Sequence, residues 1–349
     1  MHSESSSGNI LIIGGGACGA FHGHLLVQAG LNVAMVCRSN FESVKEHGFD
    51  IATGPGENSV KFYPPTMFPN TSEAASSGLL FEHILVFTKA TPSSDAVGLV
   101  APVLATSFAN NTTSVKSISL WQNGIGVEDS LAVFLASNKA LHSIALVSCV
   151  VYAGISRREG TLIRTAGTQK TVAGLVDYLS PASPHKQQHA MQLQHLEALV
   201  APSFSLSVIA NIQPARWQKS LWSASIGLVS LVGRSADVHT VVRTQEPLIR
   251  EVMKEIVHAA GQVLGSPLLE DEEATFEDLL TIPLDESFKP DIVLDWESGR
   301  ELDHQVQYGN LIRAAKAAGA DVPRLEALYS VLQLMVFQRQ LSNAPHLDQ

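Results

Sequence analysis

The apolar residues near the start of the chain occur in short unbroken runs. Ile10–Ile13 and residues 33–37 are two such runs, and residues 17–29 between them have helical character and end at Gly30. Runs that are apolar at every position are typical of parallel strands with both faces buried. Strand, glycine-rich turn, helix and strand within about 30 residues predict a βαβ unit.

Five further strand-like runs alternate with helical patterns and predict the rest of a sheet. They are residues 83–87, 117–121, 144–152, 161–164 and 171–175. The last three are joined by short connections, which favours antiparallel pairing among them, because a parallel crossover needs a dozen or more residues. A helix over residues 185–199 follows.

The pattern changes near Val208, after which helical periodicity replaces the strand signals. The helices predicted there are residues 214–231, 240–264, 272–280, 303–318 and 324–341. Ser266, Pro267 and Gly319 interrupt the periodicity and separate helices. An α/β part followed by an all-α part predicts two domains, residues 1–208 and residues 209–349, with residues 1–9 as a polar disordered leader.

Three glycines follow the first predicted strand at the spacing Gly14-x-Gly16-x-x-Gly19. In this context Gly14 makes the tight turn, Gly16 lets a pyrophosphate approach the backbone, and Gly19 lets helix and strand pack closely. Ala17 and Cys18 begin the helix, whose free N–H groups favour an anion. The pattern predicts a Rossmann-type dinucleotide-binding domain; the alternative is a glycine-rich turn that binds nothing.

The end of the second predicted strand indicates which dinucleotide is bound. NAD enzymes usually place Asp or Glu there for the ribose hydroxyls. This chain has Cys37 and then Arg38. A guanidinium with no carboxylate beside it suits a 2′-phosphate, so NADP(H) is the predicted cofactor. The alternative is that Arg38 is an ordinary surface charge.

Composition and charge exclude several classes of partner and site. The 349 residues carry a formal net charge of −10, which argues against nucleic acid and anionic membranes as partners. No apolar stretch approaches the length of a membrane span. The three cysteines, Cys18, Cys37 and Cys149, form neither a disulfide pattern nor zinc-ligand spacing. We therefore expect a cytoplasmic protein without a metal site, and we interpret His185 and His189, four residues apart, as a solvated polar face.

Several segments go beyond a generic dinucleotide fold. They are Phe-Thr-Lys-Ala at 87–90, Trp-Gln-Asn-Gly-Ile-Gly at 121–126, Trp-Gln-Lys at 217–219, Lys-Pro at 289–290, the stretch 295–303, and Gly309. In this order they resemble the ketopantoate reductase (2-dehydropantoate 2-reductase) family, from about residue 10 to about residue 334. The resemblance implies an NADPH-dependent reductase of a carbonyl compound, with its active site in the cleft between two domains.

The resemblance also implies roles for individual residues. Lys219 is the expected general acid, which protonates the carbonyl oxygen, and Asn123 is expected beside it and the nicotinamide. Lys89 is expected near the cofactor. Asp303 occupies a position where the family usually has Glu, which contacts the cofactor ribose and closes the cleft.

The chemistry of the residues around Lys219 agrees with this role. Carbonyl reduction needs a hydride donor and a proton donor, and a partly desolvated lysine can donate a proton near neutral pH. Lys219 stands in an apolar amphipathic stretch with Trp217, Leu221 and Trp222. The alternative is a lysine whose stem covers the apolar face while its amine reaches water.

Three candidate substrate positions depart from the family pattern. The family has asparagines four and eight residues after the lysine, where this chain has Ser223 and Gly227; a serine after Lys-Pro is replaced by Asp291. An ionised Asp291 would repel a substrate carboxylate. We expect a carbonyl substrate larger or less acidic than ketopantoate. The alternatives are an Asp291 that faces solvent, a genuine 2-dehydropantoate 2-reductase, and an NADP(H)-binding protein without redox turnover.

The last predicted helix bears on assembly. It is apolar over residues 325–337 and could pack in the core or against a second subunit. A homodimer is therefore compatible with the sequence, and a small-molecule carbonyl compound is the remaining expected partner.

Overall fold

The computed structural model describes residues 9–53, 59–109, 114–157, 160–281 and 288–343. The predicted leader, apart from Asn9, lies outside these residues. The described strands, in chain order, are β1 (Ile10–Ile13), β2 (Val33–Val36), β3 (Phe49–Thr53), β4 (Val60–Phe62), β5 (Thr66–Phe68), β6 (His83–Val86), β7 (Ser117–Leu120), β8 (Ala145–Arg157), β9 (Leu162–Leu175) and β10 (Leu206–Val208).

Helices alternate with the strands and then replace them. The described α-helices are α1 (Ala17–Gln28), α2 (Phe41–His47), α3 (Thr71–Ser76), α4 (Ala96–Ala109), α5 (Asp129–Ser137), α6 (Lys186–Val200), α7 (Gln213–Trp222), α8 (Leu228–Val232), α9 (Val238–Leu264), α10 (Glu272–Thr281), α11 (Asp291–Glu297), α12 (Asn310–Ala317) and α13 (Pro323–Asn343). None of the described helices combines the length and the apolar character that crossing a bilayer requires.

The strands form one sheet in the order β4-β3-β9-β8-β7-β6-β1-β2-β5, with β10 beside β9. From β5 to β8 every pairing is parallel. Relative to their order along the chain, these six strands have the doubly wound arrangement, in which the direction of winding reverses between β1 and β6. The predicted Rossmann-type fold is confirmed, and its ligand-binding edge lies where β1 and β6 end.

The hairpin of β8 and β9 differs from the prediction. The runs at 161–164 and 171–175 belong to one strand, β9, which pairs antiparallel with β8 and parallel with β3. The residues between the two runs, 165–170, are largely polar in sequence, so the apolar pattern does not reveal that they belong to the same strand. The short strands β3, β4 and β5 were not predicted, because three to five residues carry too little periodicity.

The chain divides into two compact units. The described residues up to Asn123 together with residues 127–212 form the first, and Gly124–Gly126 with the described residues from Gln213 onward form the second. A boundary placed near Val208 from the sequence does not anticipate that the short segment 124–126 belongs with the helices.

The second unit is built from α7–α13 around a core that contains Trp217, Met253 and Tyr308. Two predicted helices are interrupted by π turns, at Ser223–Gly227 and at Gln305–Gly309. The helix α11 was not predicted. The all-α character of this unit is confirmed, and the π turns are local departures that a periodicity of 3.6 residues cannot reveal.

Candidate functional site

The glycine turn after β1 is tightly packed at two of its three glycines. Gly14 has φ +120°, and a Cβ there would lie 2.9 Å from the amide nitrogen of Thr88. A Cβ on Gly19 would lie 2.0 Å from the carbonyl oxygen of Gly14. Side chains are therefore excluded at both positions by backbone atoms, as the motif predicted.

Gly16 differs from the other two because it faces open space. It is exposed, precedes α1 with extended backbone, and a Cβ there would have no atom within 4 Å. Ala17 and Cys18 form the first half-buried turn of α1. Free N–H groups at a helix start beside an uncovered glycine suit a pyrophosphate, so these residues fit the predicted dinucleotide.

Arg38 lies at the end of β2, next to a short 3₁₀ turn at Pro92–Ser94. Its Nη1 donates to the carbonyl oxygen of Ser93 at 3.0 Å, and its Nη2 donates to Ser94 Oγ at 3.3 Å. The side chain is exposed. Two of its five N–H donors are thus used by described residues, which orients the guanidinium and leaves donors for an anion.

Asn40 is a site residue that the sequence did not reveal. Its Nδ2 donates to the carbonyl oxygen of Gly15 at 2.8 Å. A Cβ on Gly15 would lie 2.5 Å from Cys37 Sγ, so the turn is held between β2 and Asn40. No sequence pattern marks an amide at this spacing, and only the approach of the two loops assigns it a role.

The ends of β6 and β7 complete this edge of the sheet. Gln122 Nε2 donates to the carbonyl oxygen and to Oγ1 of Thr88, at 3.0 and 3.3 Å. The neighbouring Lys89 and Asn123 are half-buried. The hydrogen bonds fix the two strand ends relative to each other, so Lys89 and Asn123 share one edge with the glycine turn, β1 lying beside β6.

An aromatic cluster packs beneath this edge. The ring of His22, on α1, stacks on Phe87 at 5.1 Å between centroids and contacts Trp121 and Phe204. Its Nδ1 lies 2.8 Å from the carbonyl oxygen of Cys18. Burial lowers the pKa of His22 to about 4 despite that hydrogen bond. His22 is therefore a neutral core residue that anchors α1 on the sheet.

Lys219 lies in the second unit, on α7. It is half-buried, while Trp217, Ser220 and Leu221 around it are buried. One turn earlier, the buried Arg216 donates from Nη1 to the carbonyl oxygen of Gly124 at 3.0 Å. Arg216 thus binds α7 to the residue that directly follows Asn123 in the chain.

The segment 124–126 is held by two further hydrogen bonds. The amide of Ile125 donates to the carbonyl oxygen of Val306 at 2.8 Å, and Asn310 Nδ2 donates to the carbonyl oxygen of Ile125 at 2.7 Å. Gly124 has φ +104°, and a Cβ there would lie 2.5 Å from Val306 O. This loop therefore has a defined conformation that only glycine permits.

The candidate substrate positions do not lie on a regular helix face. Ser223 is half-buried and Gly227 buried, and the π turn between them closes i→i+5 hydrogen bonds. A Cβ on Gly227 would have its nearest neighbours at 3.9 Å, among them Tyr308 Oη, so a methyl group would fit there in ordinary van der Waals contact.

The two candidate carboxylates have opposite environments. Asp291 is the exposed first residue of α11, where a negative charge favours the helix. Asp303 is buried, and its Oδ1 accepts a hydrogen bond from Gln307 Nε2 at 2.7 Å. Contact of either with a ligand stays a prediction.

The structure groups the predicted residues by unit. One group, at a single edge of the sheet in the first unit, comprises Gly14, Gly16, Ala17, Cys18, Gly19, Arg38, Lys89 and Asn123. The other group, in the helical unit, comprises Lys219, Ser223, Gly227, Asp291 and Asp303. The cleft predicted between the domains stays a prediction.

A doubly wound sheet with a glycine turn at its switch point, followed by a helical unit, defines a class of dinucleotide-dependent oxidoreductases. Residues 10–178 match the family model described as Ketopantoate reductase PanE/ApbA, and residues 211–336 match that of its C-terminal domain. The chain belongs to the ketopantoate reductase family, whose members are oxidoreductases.

Two relatives match over nearly the whole chain. A Saccharomyces cerevisiae protein, uncharacterized protein YDL144C, is 24% identical, and the alignment covers 93% of each chain. The 2-dehydropantoate 2-reductase of a Nostoc species is 22% identical over 93% of this chain and 94% of its own.

Solved structures share the fold. The 2-dehydropantoate 2-reductase of Methylococcus capsulatus is 26% identical with a TM-score of 0.72, covering 95% of this chain and 97% of its own. A D-mandelate dehydrogenase solved with NADH and anilino(oxo)acetate has a TM-score of 0.74 at 16% identity, covering 95% and 99%. A dimeric ketopantoate reductase of Staphylococcus aureus has a TM-score of 0.67 at 19% identity, covering 95% and 99%.

Proposed function

We propose that this protein is an NADPH-dependent reductase of a carbonyl compound, with Lys219 as the general acid. The observation that carries the proposal is the contrast within the glycine turn. Backbone atoms leave no space for a Cβ at Gly14 or Gly19, whereas Gly16, beside the start of α1, has no atom within 4 Å of that position. Packing alone requires the first two glycines, and an approaching pyrophosphate accounts for the third.

Arg38 supports NADPH over NADH. Its guanidinium is oriented by Ser93 and Ser94, and no carboxylate replaces it at the end of β2. A charge-assisted hydrogen bond to a 2′-phosphate is among the stronger polar interactions available to such a side chain. The D-mandelate dehydrogenase was solved with NADH, so the shared fold alone does not select NADPH, and the proposal of NADPH rests on Arg38.

Lys219 supplies the proton. When bound, NADPH would supply a hydride for the carbonyl carbon, and the ammonium of Lys219 would donate a proton to the carbonyl oxygen, which would yield the alcohol. Its half-buried position on α7 lets the ammonium be both partly desolvated and able to exchange protons with solvent. Asn123 is proposed to orient the carbonyl and the nicotinamide.

The substrate is proposed to be larger or less acidic than ketopantoate. Gly227 lacks the side-chain volume that an asparagine would fill, and Ser223 offers a shorter donor than an amide. Asp291 adds a negative charge at the start of α11. Exposure of this residue leaves its charge well solvated, so among these positions Gly227 is the stronger support for a larger substrate.

NADPH consumption by the purified protein tests the proposal directly. The assay compares ketopantoate with larger 2-oxo acids and with uncharged ketones, and it compares wild type with the triple variant S223N/G227N/D291S. Turnover of a larger carbonyl compound by wild type, with ketopantoate turnover raised about tenfold or more in the variant, is expected. Robust wild-type turnover of ketopantoate at micromolar concentration would identify a genuine 2-dehydropantoate 2-reductase instead. Tight NADPH binding with no turnover of any compound would identify a non-redox protein.

The proposal also includes an oligomeric state and a location. We propose a homodimer whose subunits pack through α13, and a cytoplasmic protein. One face of this helix is buried in its own unit through Leu325 and Leu332, whereas Leu334 and Phe337 are 56% and 57% exposed. Exposed apolar stripes of this kind mark interaction surfaces. Light scattering tests the dimer: L334E/F337E is expected to yield a monomer, and an unchanged mass would exclude this face. The three sparse cysteines support a reducing compartment.

A further inference from the structure

We infer that Glu82, His83 and His195 form a binding site for a divalent transition-metal ion such as Zn²⁺. The site is independent of the proposed reductase function. Glu82 and His83 stand where β6 begins, whereas the glycine turn and Lys89 stand at the edge where β1 and β6 end. His195 lies on α6, which packs on β7 and β8 and so brings its ring over His83.

The three side chains offer a compact set of ligand atoms. One atom from each residue, two imidazole nitrogens and one carboxylate oxygen, lies within 4.8 Å of the others. The rings of His83 and His195 stack at 5.3 Å between centroids. Tetrahedral zinc–nitrogen bonds bring two nitrogens to about 3.4 Å of each other. His195 is exposed, so its ring is able to turn toward the other two ligands.

The buried side chain of His83 is a second observation that points to a bound ligand. Its side chain is 0% exposed, and its Nδ1 lies 2.7 Å from Ser117 Oγ. Its Nε2 has no hydrogen-bond partner among the described residues. A buried polar atom without a partner is costly, and a metal ion would satisfy it. Ser117 would fix the ring orientation from behind, as outer partners of ligating histidines commonly do.

The residue types select the kind of ion. Two imidazoles and one carboxylate are typical of zinc and related first-row metals, whereas calcium and magnesium prefer oxygen ligands alone. His195 also lines a surface pocket of about 470 Å³, so its side of the cluster is accessible to solvent.

Lys116 is the competitor for Glu82. Its Nζ lies 2.6 Å from Glu82 Oε2, so one carboxylate oxygen is engaged by an ammonium. The positive charge of Lys116 repels a bound cation, so the affinity for metal is expected to be lower than at a site without a competing ammonium. Removal of the ammonium should therefore tighten metal binding, which ordinary adsorption of zinc to surface histidines would not show.

Calorimetric titration of the full chain with Zn²⁺, after removal of metal by a chelator, tests the site. Wild type is expected to bind one ion with micromolar affinity, H195N to bind about tenfold or more weakly, and K116M to bind several-fold more tightly. The control H258N removes another exposed helical histidine and is expected to leave the affinity unchanged.

Co²⁺ provides a second readout, because a tetrahedral site with nitrogen ligands produces visible absorption bands. These bands are expected in wild type and K116M and are expected to disappear in H195N. Equal affinities in wild type and H195N, or no binding by wild type at millimolar Zn²⁺, would overturn the inference. H195N alters an exposed side chain, so retention of its fold can be checked by thermal melting.

Discussion

The carbonyl oxygen of Gly14 occupies the place where Gly19 would carry a side chain, since a Cβ on Gly19 would stand 2.0 Å from it. This contact presses the first turn of α1 against the end of β1. It therefore sets where the N–H groups of α1 point, which matters for any anion bound there.

Substitutions at Gly19 and at Gly16 should have different effects, the first on fold stability and the second on cofactor binding. G19A is expected to destabilise the fold by about 3 kcal/mol or more, because backbone must move to admit the methyl group. G16A is expected to cost at most about 1 kcal/mol of stability yet to weaken NADPH binding about tenfold or more. Thermal unfolding and calorimetric titration with NADPH measure the two effects.

The matched control for these variants is G261A on α9. A Cβ there has its nearest contact at 3.8 Å, and the position has no unusual φ. It should retain NADPH affinity and gain up to about 1 kcal/mol in helix stability. If G16A bound NADPH as tightly as G261A, the glycine turn would not be the pyrophosphate site.

Arg38 should determine the choice between the two nicotinamide cofactors. Loss of its charge-assisted hydrogen bonds in R38A is expected to weaken NADPH binding by about 2–3 kcal/mol, while NADH binding stays nearly unchanged. R243A, which removes an exposed arginine in the helical unit, is the control. Equal weakening of both cofactors in R38A would contradict a 2′-phosphate contact.

Lys219 should affect turnover rather than cofactor affinity. K219M keeps the aliphatic stem but removes the proton donor, and kcat is expected to fall about 10²- to 10⁴-fold with NADPH binding retained. K254M removes an exposed lysine of α9 that pairs with Glu251, and it should leave turnover unchanged. Near wild-type kcat in K219M would remove this lysine from the mechanism.

His22 should make the fold sensitive to acid. Its pKa is about 4 in the folded chain against an ordinary value of 6.5, so between these values the unfolded chain binds a proton that the folded chain does not. Above pH 6.5 the neutral imidazole does not reduce the free energy of unfolding. As the pH falls from 7 to 5, protonation of the unfolded chain at this group alone lowers the free energy of unfolding by about 2 kcal/mol. Urea unfolding of H22F should show that much less acid sensitivity; an unchanged slope would exclude the buried imidazole as its source.

Glu255 should stabilise the start of α13. The carboxylate is buried and accepts hydrogen bonds from the amides of Arg324 and Leu325 at 3.1 Å, and from Arg324 Nη1 at 3.0 Å. E255A leaves these donors unsatisfied and is expected to cost about 3 kcal/mol in urea unfolding. E251A, one turn earlier on α9, removes only the surface salt bridges of a half-buried carboxylate to Lys254 and Arg324, and it should cost much less. Similar losses in the two variants would show that Glu255 does not cap the helix.

Local patterns in the sequence were sufficient to predict much of the fold. The unbroken apolar runs predicted β1 and β2, because parallel strands are buried on both faces, and further strand-like runs predicted β6 and β7. The glycine spacing predicted the turn at their edge. The helical periodicity after Val208 predicted the all-α unit but not its π turns, whose extra residue leaves no periodic signal.

The sequence by itself determined the elements that depend on local chemistry: strands, helices, the glycine turn and the motifs of the ketopantoate reductase family. Only the tertiary structure decided which distant side chains meet, such as Asn40 with Gly15, Arg216 with Gly124, and His83 with His195. The physical reason is that these contacts depend on how strands are ordered and how helices pack, and neither leaves a repeat in the chain.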